Sequence, residues 1–254
     1  MIQLCTGRGD FMRLKLICCE VLFREVSFLT ANSPHTCDVE FLPKGLHDLG
    51  VDKMKPRLQE RVDSVPAGAY DAVVLGYGLC NNGIAGLEAR HTRLVVPRAH
   101  DCITLFLGSR EKYKECFNAN PGTYYKTTGW IERGDGENVD DVTISRKLGL
   151  HMKYEELVQK YGEDNAKYVM ETMGDLTANY DRMAFISMGL ACEDHFAAIA
   201  AQEAQEKGLA YEKIQGSMAI LRKLVNGEWD DDFLILQPGE IIAPSHDDSV
   251  INRG

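Results

Sequence analysis

Residues 72–83 read AVVLGYGLCNNG, an unbroken apolar run followed by glycines, a cysteine and two asparagines. A continuous apolar run of strand length, bounded by turn residues, is typical of a strand whose two faces are both buried in a parallel sheet. Shorter runs of the same kind lie at residues 14–18 and 94–96, with helical patterns between them. This repeat of strand, turn and helix predicts an α/β fold with a mainly parallel, doubly wound sheet, or two similar α/β lobes with a central insertion.

The same rhythm predicts the individual elements. Strands are expected at Leu14–Cys18, Val39–Leu42, Ala72–Leu75, Leu94–Val96, Met183–Ser187, Tyr211–Ile214 and Phe233–Leu236. Helices are expected at Glu20–Leu29, Lys55–Val65, Ile103–Phe117, Glu193–Lys207 and Ser217–Val225, with two more within Tyr154–Met173. Residues Pro121–Trp130 combine strand formers with flanking turn residues, which predicts a hairpin or a lid.

Changes in this rhythm divide the chain into five parts. They are a weakly ordered leader at 1–11, an N-terminal α/β lobe at 12–120, an insertion or lid with helices at 121–175, a C-terminal α/β portion at 176–244, and a polar, frayed tail at 245–254.

The composition predicts a soluble globular protein of the cytoplasm. Of 254 residues, 44% are hydrophobic and 26% charged, which is enough to build a core and a wetted surface. The net charge of −10 argues against a nucleic-acid partner, because such proteins present a basic face. Neither a signal peptide nor a membrane-spanning run is visible. Eight cysteines in this context indicate reduced thiols or metal ligands rather than disulfides.

Thiols follow three of the predicted strands. Cys19 follows the first, Cys80 follows the central run, and Cys102 follows the third. The carboxyl ends of parallel strands meet at one edge of the sheet, where ligands bind, so we expect these sulfurs to converge. Cys18 should point to the opposite side of its strand from Cys19.

The segment His100-Asp101-Cys102 strengthens the expectation of a metal site. In an extended segment His100 and Cys102 share a side and, with Cys80, supply the nitrogen and sulfur ligands that zinc accepts. Cys19 or Glu20 would be a fourth ligand that substrate displaces. Asp101 would orient a ligand without binding the ion. The competing interpretation is that these cysteines are simply small buried hydrophobes.

The glycines around Cys80 do not form a nucleotide-binding loop. Their spacing matches neither G-x-G-x-x-G nor G-x-x-x-x-G-K-[ST], so NAD and ATP loops are rejected. We expect the glycines to permit the turn that presents Cys80. The substrate pocket is predicted to include Tyr77, Gly78, Asn82, Tyr124 and Trp130, although the aromatic residues could equally be core packing.

Longer motifs make the chain similar to a known family. They are CEVLFRE at 19–25, FLPKGLH at 41–47, YGLCNNG at 77–83, PRAHDC at 97–102, GTYY at 122–125, GWIE at 129–132 and GEWDDDF at 227–233. The chain resembles a bacterial and archaeal domain-of-unknown-function family whose members commonly occur beside corrinoid-dependent methyltransferases. The resemblance extends from Arg13 to Ile242.

This resemblance implies a role in corrinoid-linked one-carbon metabolism. His100-Asp101-Cys102 is similar to the first half of the His-x-Cys motif of zinc-dependent thiol methyltransferases, whose second cysteine lies downstream and whose barrel fold is not predicted here. A zinc-dependent methyl transfer enzyme is therefore expected, with a small-molecule methyl donor or a corrinoid protein as partner. Two alternatives stay open: a [4Fe-4S] protein that uses Cys19, Cys80 and Cys102, and a non-enzymatic accessory protein of a corrinoid methyltransferase system.

Overall fold

The computed structural model describes residues 11–49, 51–134, 158–159, 162–163, 180–245 and 247–254. The strands are β1 (Arg13–Cys19), β2 (Thr36–Leu42), β3 (Ala72–Gly76), β4 (Leu94–Pro97), β5 (Thr123–Lys126), β6 (Arg182–Ser187), β7 (Ala210–Gln215), β8 (Phe233–Leu236), β9 (Ile242–Pro244) and β10 (Ile251–Arg253). The helices are α1 (Phe23–Ala31), α2 (Val51–Asp63), α3 (Cys102–Leu107), α4 (Arg110–Ala119), α5 (Thr128–Glu132), α6 (Glu193–Glu206) and α7 (Ala219–Val225). Short 3-10 turns lie at Glu20–Leu22 and Lys44–Leu49.

The larger sheet has five strands in the order β2-β1-β3-β4-β8. The first four strands are parallel, and β8 runs antiparallel to β4 at the edge. All five residues of β3 are buried, as expected for a central strand covered on both faces. Alternate residues of β1 face opposite sides, so that Leu14 and Leu16 pack in one core while Ile17 packs in the other.

Helices cover both faces of this sheet. Met54, Leu58 and Val62 of α2, spaced at helical intervals, pack on the face that carries Ile17. The opposite face is covered by α1, α3 and α7, whose apolar side chains pack with Leu14 and Leu16. The predicted α/β class with a mainly parallel, doubly wound sheet is confirmed.

A second, smaller sheet contains three parallel strands in the order β5-β6-β7. It includes the segment predicted as a hairpin or lid, and the hairpin alternative is wrong, because β5 pairs in parallel with β6. Tyr124 and Tyr125 lie in a strand that pairs with β6, and α5 follows at once. Helix α6 packs on this sheet through Ala197, Ala200 and Ala204.

Two further expectations differ from the structure. The single helix expected over 103–117 is divided, because Gly108 adopts φ +87° and ends α3, after which the Ser109 hydroxyl caps α4. The tail expected to fray instead contributes β10, which pairs with β9 and buries Val250 and Ile251. Nearly all of the leader at 1–11 and most of the two helices expected within 154–173 lie outside the described residues. Among the described residues, no helix has the length and apolar character needed to cross a bilayer.

A buried carboxyl group lies where α1 meets the smaller sheet. Glu25 is 1% exposed, and neither of its carboxyl oxygens has a hydrogen-bond partner among the described residues. Burial is the main cause that raises the pKa of Glu25 to about 7, and the negative charges of Glu193 and Glu132 add to the effect. Folding therefore favours the protonated form of this side chain.

We expect the stability of the protein to fall between pH 4.5 and pH 7 because of Glu25. In this window Glu25 is protonated in the folded state and ionised in the unfolded state. The stabilisation is therefore complete below the pKa of Glu25 in the unfolded chain, and it disappears as the pH rises through its pKa in the folded chain. The contribution amounts to about 3 kcal/mol. Urea unfolding at pH 5 and pH 8 should show that Glu25→Gln flattens this dependence.

The matched control is Glu60→Gln, on the exposed side of α2. It should leave the pH dependence as in the unmodified protein. An equal slope in the protein and in Glu25→Gln would show that this carboxyl group titrates normally.

Candidate functional site

The order of the larger sheet creates a crevice at the carboxyl ends of β1 and β3. The chain leaves β1 through α1 on one face and reaches β3 through α2 on the other, so the strand order reverses between these two neighbours. In open α/β sheets, ligands bind at such a switch point. Cys19 ends β1, Gly76 ends β3, and the segment after β4 leads to Cys102 beside them.

A cavity of about 1090 Å³ opens at this edge, and we call it the thiol cavity after Cys19, Cys80 and Cys102. Ten of the predicted site residues line it: Cys19, Tyr77, Gly78, Cys80, Asn82, His100, Asp101, Cys102, Tyr124 and Trp130. Glu20 does not, because it begins the turn after β1 and its Oε1 accepts the backbone N–H of Lys44 at 2.9 Å. The cavity is therefore built mainly from the segments that the sequence indicates.

Cys80 is held against the segment that follows β4. The backbone N–H of Leu79 donates to the carbonyl of Ala99 at 2.8 Å, and that of Cys80 donates to the carbonyl of His100 at 2.9 Å. Gly78 makes this close approach possible, because a Cβ at this position would lie 2.6 Å from the backbone of Asp101. The chain then turns through three residues with left-handed φ angles: Cys80, Asn81 and Asn82.

Asp101 fixes the position of Cys102. Its Oδ1 accepts the backbone N–H of Thr104 at 3.1 Å, which caps α3, and its Oδ2 accepts the hydroxyl of Tyr113 at 3.3 Å. Cys102 is the first residue of that helix. These two hydrogen bonds of Asp101 hold the segment that carries Cys102.

Neighbouring groups lower the pKa of each of the three thiols. The backbone N–H of Val21 donates to the sulfur of Cys19. The sulfur of Cys80 accepts N–H groups from Gly78 and Cys102. Trp130 lowers the pKa of Cys102. Each of these interactions favours the thiolate form of its sulfur.

Burial opposes ionisation more strongly than these donors favour it. It raises the pKa of Cys19 and of Cys80 to about 12, and it raises that of Cys102 further. The sulfurs also raise the pKa of one another, through the pairs Cys19 with Cys102, Cys19 with Cys80 and Cys80 with Cys102. The three cysteines line one cavity, and a cation bound between their sulfurs would favour ionisation of all three.

The thiols and the histidine of this segment have different neighbours. His100 is exposed at the cavity, where its ring stacks on that of Tyr113 with centroids 5.7 Å apart. His100 and Cys102 would share a side only if the extended segment reached Cys102. The extended conformation ends before Cys102, where α3 begins. Within the described ranges, no three His, Cys, Asp or Glu side chains are placed so that they could hold one metal ion without moving.

Cys18 and Cys19 lie on opposite sides of β1, as the alternation predicts. Cys18 is fully buried in the core beneath α1, where its sulfur occupies the space that a side chain at position 76 would need. Gly76 is the residue that faces Cys18 across the two strands. Only Cys19 of this pair reaches the thiol cavity.

Sequence reasoning missed a buried charged residue that lines the site. Lys44 lines the cavity although it is only 5% exposed. Its Nζ donates to the carbonyl of Trp130 at 2.9 Å and lies 4.8 Å from the centre of that ring. This ammonium group lowers the pKa of Cys19. The sequence signal for Lys44 was the motif FLPKGLH at 41–47, but this motif does not by itself indicate that its lysine is buried.

Comparison of the chain with known protein families gives one match. The family model described as "Protein of unknown function (DUF1638)" matches residues 41–225, well over half of the chain. The chain belongs to this family. In this DUF1638 protein, Cys80, His100 and Cys102 lie within the matched region, whereas Cys19 precedes it. No curated protein and no solved structure matches the chain.

We expect Gly78→Ala to displace the Cys80 loop. The added methyl group would meet the backbone of Asp101, which cannot move aside as a flexible side chain can. The free energy of unfolding should fall by about 2 kcal/mol, measured by urea denaturation.

Gly83→Ala is the matched control in the same loop. Its methyl group would mainly meet the flexible side chain of Met54, so its loss of stability should be smaller. Equal losses in the two variants would contradict the close approach at Gly78.

Proposed function

We propose that this protein carries a metal centre on the thiolates of Cys19, Cys80 and Cys102 and acts in cytoplasmic, corrinoid-linked one-carbon metabolism. The observation that carries the proposal is that three cysteines from the ends of three strands line one cavity at the switch point of the sheet. Thiolates are soft ligands, and zinc is a common occupant of such sites.

Metal binding would require the three side chains to turn toward one another, because their present positions do not form a coordination shell. All three cysteines line the same cavity, so this rearrangement would take place within it. Three protein ligands leave one coordination position for a substrate, as in catalytic zinc sites. His100 and Glu20 would become ligands only after leaving Tyr113 and the N–H of Lys44, respectively.

The proposed reaction is methyl transfer to a thiol. Bound zinc would lower the pKa of a coordinated substrate thiol, so that its thiolate exists near neutral pH. After the thiol proton has passed to solvent, this thiolate would attack the methyl carbon of the donor. The sulfur–carbon bond would form as the bond between carbon and donor breaks, and the donor would leave with the electron pair. The volume of the cavity provides space for both reactants, with Tyr77, Asn82, Tyr124 and Trp130 as walls. The link to a corrinoid donor protein comes from the family resemblance of the motifs at 77–83 and 97–102.

Cysteine variants test the centre. Cys19→Ser, Cys80→Ser and Cys102→Ser should each lower the metal content of protein purified without oxygen, because an alcohol is a far weaker ligand than a thiolate for a soft site. Elemental analysis of the unmodified protein should give about one zinc per chain.

Cys116→Ser is the control, since Cys116 lines a different cavity between α4 and the smaller sheet. It should keep the full metal content. The same metal content in all five proteins would overturn the proposed centre.

A second candidate is a [4Fe-4S] cluster on the same three thiolates. It is favoured by the all-sulfur donor set in the cavity, because such clusters are held by cysteine thiolates. The same elemental analysis separates the two. Brown protein with about four irons per chain would identify the cluster, and colourless protein with zinc would exclude it.

A further inference from the structure

Helix α4 turns one face toward the thiol cavity. The residues of α4 that line the cavity recur at intervals of three and four, which place side chains on a common face of a helix: Arg110, Tyr113, Lys114, Phe117 and Asn118. No residue of α4 is fully buried. Tyr113 packs partly against the core of the larger sheet, whereas Phe117 is 51% exposed. This helix therefore presents an aromatic side chain to the cavity instead of to a core.

Three aromatic rings form a row along this wall of the cavity. The rings of Tyr113 and Phe117 make an angle of 8°, and their centroids lie 6.4 Å apart. The rings of His100 and Tyr113 make an angle of 29°, with centroids 5.7 Å apart. His100 and Phe117 are both exposed. Aromatic rings favour offset, stacked neighbours, so a flat ligand can continue this row on the accessible ring of Phe117.

Side-chain amides are carried by the segments at both ends of this row. Asn118 directly follows Phe117 in α4. Asn81 and Asn82 belong to the loop whose backbone donates to the carbonyl of His100 at 2.9 Å. All three amide side chains are exposed and line the cavity. An amide supplies both donors and an acceptor, so these groups can pair with the edge of a ring that carries nitrogen and carbonyl groups.

The charged groups of the cavity do not select a ligand of one sign. Besides His100, its described lining contains basic and acidic side chains in equal number: Lys44, Arg110, Lys114, Asp101, Glu111 and Asp248. Lys114 and Asp248 already pair with each other at 3.2 Å. Ring stacking and amide pairing, rather than net charge, therefore define the ligand.

We infer that the thiol cavity binds a small molecule with a planar nitrogen heteroaromatic ring, which stacks on Phe117 and pairs through its edge with the side-chain amides of the cavity. A volume of about 1090 Å³ holds a bicyclic or tricyclic ring with a substituent. The ring of Phe117 and the amides are exposed, so the ligand reaches them directly. The inference does not depend on the proposed metal centre, and it adds a ligand class to the same cavity.

Calorimetric titration of the full chain tests this ligand class. Adenosine and riboflavin are the heteroaromatic probes. Ribose lacks an aromatic ring, and 2-naphthol has a flat bicyclic ring without nitrogen. At least one heteroaromatic probe should bind with a dissociation constant below about 1 mM. Ribose and 2-naphthol should bind at least about tenfold more weakly, because each lacks one of the two kinds of contact.

Variants at Phe117 test the stacking contact. Phe117→Ala should weaken binding of the heteroaromatic probe by about tenfold, because it removes the ring on which the ligand stacks. Phe117→Trp should retain binding, since an indole ring stacks as a phenyl ring does. The side chain is half exposed, so the melting temperature of Phe117→Ala should stay within about 2 °C of that of the unmodified protein.

The matched control is Phe28→Ala. Phe28 is 49% exposed on α1, outside the cavity. This variant should bind the probes as the unmodified protein does, which separates the loss of one particular ring from the loss of any exposed aromatic side chain.

The inference would be overturned if neither heteroaromatic probe bound at about 5 mM, or if Phe117→Ala bound as tightly as the unmodified protein. Equal affinity for 2-naphthol would overturn the role of the amides and, with it, the ligand class. A dimer that dissociates in Phe117→Ala would assign the exposed ring to contact between copies of the chain and would also overturn the inference. The metal content of the cysteine variants decides the metal centre separately, so the failure of one proposal is distinguishable from the failure of the other.

Discussion

The site depends on a constraint of chain topology: neighbouring parallel strands whose connections lie on opposite faces of a sheet leave a crevice at their carboxyl ends. In this protein the crevice lies between β1 and β3, and the segment after β4 closes its third side. Cys19, Cys80 and Cys102 are distant in sequence, and only this winding brings them together. The apolar cores on both faces of the sheet hold the strand ends in place.

Local hydrogen bonding then adapts the crevice to sulfur. The loop that carries Cys80 is attached to the segment at 99–100 by backbone pairs, and the N-terminal cap of α3 holds Cys102. Three successive left-handed residues are unfavourable for side chains with a Cβ, so the surrounding contacts must hold this turn in shape. Burial keeps the isolated thiols protonated, while the N–H donors and Lys44 act in the opposite direction. In the proposed metal centre, a bound cation would shift this balance toward the thiolate forms.

The sequence predicts the parts of the fold that depend on local pattern. The buried run at 72–76 and the thiols after three strands indicate the central sheet and the edge that carries the cavity. The sequence does not predict that β5 pairs with β6, because these strands are separated by more than fifty residues and β5 is only four residues long. The division of the helix at Gly108 was foreseeable, since Gly108-Ser109 is a turn signal followed by a good capping residue.

Side-chain direction is the part of the site that sequence cannot supply. Whether His100 faces the thiols or stacks on Tyr113 depends on where the extended segment ends and α3 begins. The sequence pattern places this boundary only to within a few residues. The burial of Lys44 depends on the carbonyl of Trp130, which lies in a distant segment.

The tight fit between Cys18 and Gly76 limits how this chain can vary. The sulfur of Cys18 fills the volume that any side chain at position 76 would occupy, on adjacent strands directly beneath the crevice. A larger residue at one position is tolerable only with a smaller residue at the other. Substitutions at positions 18 and 76 must therefore occur together. A substitution at position 76 alone would push β1 and β3 apart at the point from which the cavity opens.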